Sequence, residues 1–253
     1  MPARLLPAES LVAAPAPDGV QVFTTTRHHP AGASTGLFAD FNLAGHVGDV
    51  AAHVQANRAH LEAALERPVQ WLQQVHGTEV VAVSAVRSDP GMEPVADAAW
   101  SVSDAVALAV LTADCVPLVV VTADRAVAVI HAGWRGMVDG VIEATLAAMP
   151  AGDAPIWAWV GPCIGHQAYE VGEEVWSHFS ADCYQGHQQR DKRWLHLPHA
   201  AAKRLKSCVQ DLAVVQSDIC CHSDTRFYSH RRTTQAGALQ TGRFATVVYK
   251  ERS

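Results

Sequence analysis

The sequence predicts an α/β (α+β) fold in which a mixed β-sheet core is packed between helices in an α/β/β/α-like layering. Three observations predict it. Apolar runs at 105–111, 116–121 and 126–130 have strand length and little alternation, the pattern of strands covered on both faces. Helical spacing appears on either side of them, in Val50, Val54, Leu61 and Leu65 and again in Val138, Ile142, Leu146 and Met149. No linker or internal repeat divides the 253 residues, so one domain spanning 1–253 is expected.

Taken in order, residues 20–26 read as a strand after an Ala/Pro-rich start, and 28–48 as a long glycine-containing loop. Asp49 is placed to cap the helix that follows. Asn57 falls on that helix's apolar stripe, which makes it either a satisfied buried amide or a site residue. Strands are expected at 69–74 and 79–83, on either side of Val75-His76-Gly77. One helix is expected to carry Val138 through Met149, then a strand at 156–160, helices at 173–179 and 200–212, and a closing strand at 244–249.

The net charge of -6 argues against a surface that coats nucleic acid, and no nucleic-acid partner is expected. No apolar run is long enough to span a bilayer, so no membrane partner is expected either. Glu9 and several prolines interrupt the N-terminus, unlike a secretory leader, and a cytoplasmic location follows as the expectation. The cysteines at 115, 163, 183, 208, 220 and 221 then read as free thiols, with no bond between Cys220 and Cys221.

Fourteen histidines are the compositional anomaly, and the question is which of them are ligands. Three short segments stand where strands end: Gln74-Val75-His76-Gly77, Ala113-Asp114-Cys115-Val116-Pro117 and His131-Ala132-Gly133-Trp134-Arg135-Gly136. Thiolate and imidazole are the donors zinc prefers, and three protein ligands leave a fourth position open. His76, Cys115 and His131 are therefore the expected metal ligands, with zinc as the metal and copper second. The glycines at 133 and 136 allow backbone N–H groups to approach an anion, and Arg135 offers a bidentate contact to phosphate or carboxylate. Against that stands an ordinary strand-to-helix turn with Arg135 in solvent. Arg27 and Asn42 are candidate catalytic residues beside Cys115 and His131. Arg135, Gly133, Asn57 and Tyr228 are candidate substrate contacts. The segment 224–232 mixes aromatics with cations and reads either as a base-and-phosphate site or as a solvated basic turn with Phe227 and Tyr228 inward.

The chain resembles the YfiH-like family, also called the laccase-domain or purine nucleoside phosphorylase family and, in bacteria, the peptidoglycan editing factor. The resemblance runs nearly end to end through TTTR at 24–27, FNL at 41–43, NR at 57–58, QVHG at 74–77, ADCVPL at 113–118, HAGWRG at 131–136, GPCIG at 161–165, YEVGEEV at 169–175, FYSHRR at 227–232 and TGR at 241–243. It departs at Cys221, where threonine is usual, and at His230, where tyrosine is usual. The resemblance implies zinc held by His76, Cys115 and His131. It also implies phosphorolysis of adenosine, inosine and methylthioadenosine, with deamination of adenosine, and hence nucleoside and phosphate as partners of a monomer or weak homo-oligomer.

Three other readings are open from the sequence. Cys115 as nucleophile with His131 as base gives an amidase or hydrolase editing peptidoglycan precursors. Copper-dependent phenol oxidation, laccase-like, needs clustered imidazoles, and no His-x-His occurs. A structural zinc in a binding module requires a fourth protein ligand.

Overall fold

The computed structural model describes residues 6–86, 92–151, 153–186 and 189–252. Residues 1–5, part of the stretch read above against a secretory leader, lie outside it. The strands are β1 (Leu11–Ala13), β2 (Val20–Thr25), β3 (Val69–Gln70), β4 (Val80–Ala82), β5 (Ala98–Ser101), β6 (Ala107–Thr112), β7 (Val116–Thr122), β8 (Val127–Ala132), β9 (Pro155–Val160), β10 (Glu170–Val171), β11 (Tyr184–Gly186), β12 (Arg193–Leu195), β13 (Ala213–Gln216) and β14 (Phe244–Lys250). The helices are α1 (Ala51–Leu65), α2 (Trp134–Asp139), α3 (Val141–Ala148), α4 (Glu173–Trp176), α5 (Leu197–Cys208) and α6 (His230–Gln235).

Two mixed sheets form the centre, in the orders β1-β2-β14-β6-β3 and β13-β9-β7-β8-β5-β4. A three-stranded sheet, β10-β12-β11, stands beside them. Side-chain alternation along each strand builds the layers. In β6, Leu108 and Val110 face the space between the large sheets, while Ala107, Ala109 and Leu111 face outward with Leu61 and Leu65 of α1. In β7, Val119 and Val121 join the inter-sheet core, and Val116, Leu118 and Val120 pack outward with Met137, Val141 and Ile142 of α2 and α3 and Leu205 of α5. Both faces of these strands are buried, which is why their sequences run apolar without alternating. The layers are thus helix, sheet, sheet, helix, as expected. Among the described residues no helix is long and apolar enough to cross a membrane.

Several element boundaries differ from the sequence expectation. The strand expected at 69–74 is only Val69–Gln70, because Gln73 pairs with Val95 in a lone bridge and the chain then turns. The strand expected at 79–83 is Val80–Ala82. The single helix expected over Val138 to Met149 begins at Trp134 and breaks at Gly140, whose φ is +99°. The helix expected at 173–179 stops at Trp176, and the one expected at 200–212 is Leu197–Cys208 followed by β13. Asp49 does not cap α1 in the N-cap position, which belongs to Val50. Its carboxylate instead accepts from the backbone N–H of Val50, the hydroxyl of Ser34 and the amide of Asn42.

The loop at 28–48 is held by buried amides. Asn57 is fully buried; its Oδ1 accepts from Ala33 N–H at 2.9 Å, and its Nδ2 donates to Ser34 Oγ at 3.0 Å and Asn42 O at 2.8 Å. Asn42, also fully buried, donates to Ala44 O and accepts from the N–H groups of Ala44 and Arg243. Asn57 is the satisfied amide of the two alternatives. Replacing it with alanine removes three hydrogen bonds and leaves the Ala33 N–H and the Asn42 carbonyl without their partner, while Ser34 Oγ keeps Asp49, so Asn57→Ala is expected to lose about 2–4 kcal/mol of stability, read from the urea unfolding midpoint at unchanged m-value.

Candidate metal centre

Three chain segments meet at one end of the sandwich. His76 lies in the connection from β3 to β4, Cys115 in the turn from β6 to β7, and His131 in β8. The first two connections pass from one large sheet to the other. The ligand atoms of the three side chains all lie within 4.8 Å of one another. Cys115 Sγ is 3.8 Å from His76 Nε2, and the two imidazoles sit 4.7 Å apart with a 71° tilt. Both turns use left-handed backbone, at His76 (φ 61°) and Asp114 (φ 100°), which lifts the donor side chains off the strand direction. Gly133 is required by the same convergence: a Cβ there would stand 2.8 Å from His76 Cδ2 and 3.3 Å from Cys115 Sγ.

Asp97 organises two of the three donors. It is fully buried, and its carboxylate accepts from the backbone N–H groups of Val75 (3.1 Å), His76 (2.9 Å) and Gly77 (2.7 Å). His131 Nδ1 lies 2.7 Å from Asp97 Oδ1, and His131 N–H donates to Asp97 O at 2.7 Å. Burial works to raise the Asp97 pKa, and the bonds from His131, Gly77 and Val75 reverse this and bring it below the usual carboxylate value. With Nδ1 engaged, His131 presents Nε2 to the pocket, the arrangement by which carboxylates orient metal-binding histidines. Gln74 fixes the other side of the turn, donating to Leu111 O and accepting from Leu111 N–H.

Asp114 plays the same part for Cys115. Its carboxylate accepts from Cys221 Sγ (3.1 Å), Ser229 Oγ (2.7 Å) and Arg231 N–H (2.6 Å). The residue that departs from the family pattern, Cys221, is therefore a buried donor to this carboxylate. Burial opposes charge on Cys115 and on His131, but each stabilises the other. The thiol comes down to about 6 under the His131 charge and the hydrogen bonds from His131 and His76. His131 is raised to about 9 by Cys115 and Asp97. The two shifts run in opposite directions and each favours the other, thiolate on Cys115 and imidazolium on His131.

The three donors open into a cavity of about 410 Å³ also lined by His46, Tyr169, His230, Arg135, Arg231 and Arg243. Among the described residues Arg243 uses only Nη1 on protein carbonyls, those of Thr241 and Gly242. Arg231 lies over the Tyr169 ring and Arg135 over the Trp134 ring. The one carboxylate among the lining residues is Asp114, which its own partners already saturate. The cavity is thus cationic, with guanidinium N–H groups free to meet an anion.

The sequence candidates divide. His76, Cys115, His131 and Arg135 meet here, and Gly133 touches the donors. Gly133 and Gly136 lie against His76 and Gly77, so their missing side chains serve packing between turns. Arg27, Asn42, Asn57 and Tyr228 do not line this cavity. Arg27 donates through Nε to Ala39 O at 2.8 Å and lies over the Tyr228 ring. Tyr228 is fully buried and donates to Phe38 O at 2.7 Å. The segment 224–232, read as a basic turn or base site, begins α6 at His230 and turns Phe227 and Tyr228 inward. Sequence reasoning gave no role to Asp97, Asp114 or Arg243, and took in Arg231 only as part of the segment 224–232. For Asp97 a signal existed: a lone carboxylate in the apolar run Val95-Ala96-Asp97-Ala98-Ala99-Trp100.

The donor set fits a soft or borderline metal. It has one thiolate and two imidazoles, and among the described residues no further His, Cys or carboxylate joins the group. A second group, Asp182, Cys183 and His199, shares a short radius, but Lys203 Nζ donates to both Asp182 oxygens at 2.7 Å. Asp97→Ala is expected to weaken metal binding about 10–100-fold, because the His76 turn and the His131 ring lose a shared anchor. Titration with Zn²⁺ against a competing chelator reads this directly.

A family model described as "Multi-copper polyphenol oxidoreductase laccase" matches residues 21–251. A purine nucleoside phosphorylase of Pseudomonas aeruginosa is 37% identical over 93% of this chain and 95% of its own length. The purine nucleoside phosphorylase YfiH of Escherichia coli is 35% identical over 89% of this chain and 93% of its own. Among solved structures, a Neisseria meningitidis protein superposes with a TM-score of 0.85 at 33% identity, covering 96% of this chain and all of that one. YlmD from Geobacillus stearothermophilus gives 0.85 at 28% identity, over 97% and 98% of the two chains. Sequence match, relatives and architecture agree, and the chain belongs to the YfiH-like, laccase-domain family.

Proposed function

We propose that this protein is a zinc-dependent purine nucleoside phosphorylase acting on adenosine, inosine and methylthioadenosine, with adenosine deaminase activity at the same centre. The observation that carries the reading is one cavity that joins a Cys/His₂ donor set to three arginines. The names of the relatives support the substrate class. His76, Cys115 and His131 would hold the zinc, and a bound Zn²⁺ would supply Lewis-acid charge beside the substrate. Zinc is favoured over copper because phenol oxidation by several coppers needs clustered imidazoles. Among the described residues only one Cys/His₂ group is assembled.

In phosphorolysis a phosphate oxygen bonds to C1′ while the C1′–N9 bond breaks. The purine leaves with that electron pair and takes up a proton. The protein must hold an anion against a sugar that becomes cationic. Arg231 and Arg243 are assigned the phosphate, with Arg135 at the exposed rim. Arg27 and Asn42, expected from sequence to be catalytic, are assigned instead to shaping the 28–48 loop, as are Asn57 and Tyr228. His46 and His230 line the same cavity and are the candidates for proton transfer to the base.

Metal-loaded protein is expected to release purine from inosine only when phosphate is present, and the release should stop on chelation. Purine release indifferent to phosphate would sink the proposal. Arg243→Ala is expected to lower kcat/KM about 100-fold with a raised KM for phosphate. Arg27→Ala should lower Tm and leave the phosphate dependence unchanged. The closeness of Cys115 and His131, with the thiol shifted down by its neighbour, keeps one rival in view, an amidase with Cys115 as nucleophile. Thiol alkylation separates the two readings, since zinc should protect Cys115 from labelling in the phosphorylase and a nucleophile would label readily in the active protein.

A further inference from the structure

Tyr169 lines the cavity of the candidate centre but belongs neither to the metal donors nor to the arginines. It stands immediately before β10, where its N–H donates to His166 O at 3.2 Å and its carbonyl accepts from Leu195 N–H at 3.0 Å. These backbone bonds fix it between the 3-10 turn at His166–Ala168 and the end of β12. Its side chain packs against two apolar clusters, the helix-side core with Leu195 and Leu197 and a smaller one with Ile164, Phe227 and Phe244. The hydroxyl, by contrast, has no hydrogen-bond partner among the described residues, and the oxygen is not sealed in the core either. Tyr228 makes the comparison plain. Both phenol rings have a guanidinium over them, Arg27 at 4.9 Å and Arg231 at 5.4 Å, but the Tyr228 hydroxyl is committed to Phe38 O.

Burial raises the Tyr169 pKa, and Cys115 and Asp114 raise it further against the opposing pull of Arg231 and Arg135. All four of these groups line the Cys/His₂ cavity, so the hydroxyl they act on belongs to that cavity too. At neutral pH it is an intact O–H, a donor with no acceptor on the protein. Arg231 is fastened beside it. Its Nη1 donates to Ala168 O, the carbonyl next to Tyr169 in the chain, at 3.4 Å, while its guanidinium lies over the phenol ring. The other side-chain N–H groups of Arg231 have no protein acceptor among the described residues. A cation and a neutral donor are thus held side by side. A tetrahedral oxyanion presents several acceptor oxygens to one small volume, and can take bonds from a guanidinium and a phenol together.

We propose that Tyr169 is a phosphate-binding residue: its hydroxyl donates to a phosphate oxygen, while its ring and the Ala168 carbonyl hold Arg231 against the same anion. The identity of the anion rests on the phosphorylase reading, so the test separates binding from turnover. Inorganic phosphate is titrated calorimetrically into the metal-loaded full-length protein, at fixed ionic strength and without nucleoside. Tyr169→Phe keeps the ring under Arg231 and loses only the O–H, so its Kd for phosphate should rise about 10–100-fold, the effect of one hydrogen bond to a charged group. The KM for phosphate should rise with it, while the KM for inosine and the bound metal stay as in the parent. Tyr169→Ala, which also removes the ring, should bind phosphate more weakly still. Tyr184→Phe, a phenol that does not line the cavity, should match the parent. A Tyr169→Phe protein that binds phosphate as the parent does, or whose KM for inosine rises equally, overturns the proposal, and phosphate-dependent purine release in the parent would still support the phosphorylase reading. Conversely, a parent that binds phosphate through Tyr169 but releases purine without it removes that reading and leaves the anion site standing.

Discussion

One buried carboxylate holds the candidate centre together. Asp97 stands at the edge of β5 with four donors on it, three of them backbone N–H groups from the His76 turn and the fourth the His131 ring. An anion this deep would cost several kcal/mol if unpaired, so the turn and the ring are held as firmly as the anion needs them. The arrangement couples segments more than fifty residues apart in sequence, His76 and His131, through a residue that need not touch a metal at all. Asp114 repeats the device at Cys115, tying the thiol's turn to Ser229, Cys221 and the first residues of α6. Arg231 reaches the cavity because its own N–H is on that carboxylate.

Much of this was legible in the residues, and the parts that were not share a cause. The runs at β6, β7 and β8 read correctly because burial on both faces leaves a continuous apolar signature. The three donors were found because Cys and His beside Gly or Pro at strand ends have few structural uses in combination. The helix pair α2 and α3 read as one because Val138, Ile142, Leu146 and Met149 keep helical spacing across a break made only by the φ of Gly140. The strands at Val69–Gln70 and Val80–Ala82 are too short for any period to show.

The substrate side was less legible. Arg243 arrives from the segment before the last strand, and Arg231 from a six-residue helix that carries no apolar stripe. Nothing local distinguishes Arg243 from a surface cation, and the aromatic and cationic mix of 224–232 does not single out Arg231 from Arg226 and Arg232. Arg27 drew notice where a strand end opens the long loop, Asn42 between Phe41 and Leu43, and Asn57 on an apolar helical stripe; the two amides are buried and Arg27 is half-buried. Buried amides and guanidiniums fix loops as often as they bind ligands, and only tertiary hydrogen-bond partners separate the uses.

His76 and Cys115 sit in connections that cross from one large sheet to the other, while His131 belongs to the second sheet. An ion held by all three would be a cross-link between sheets as well as a reagent. Folding and occupancy would then be thermodynamically linked: each tenfold rise in free metal above the dissociation constant adds about 1.4 kcal/mol to the folded state. In a cell starved of the ion, the population of unfolded chain would rise along with the loss of turnover.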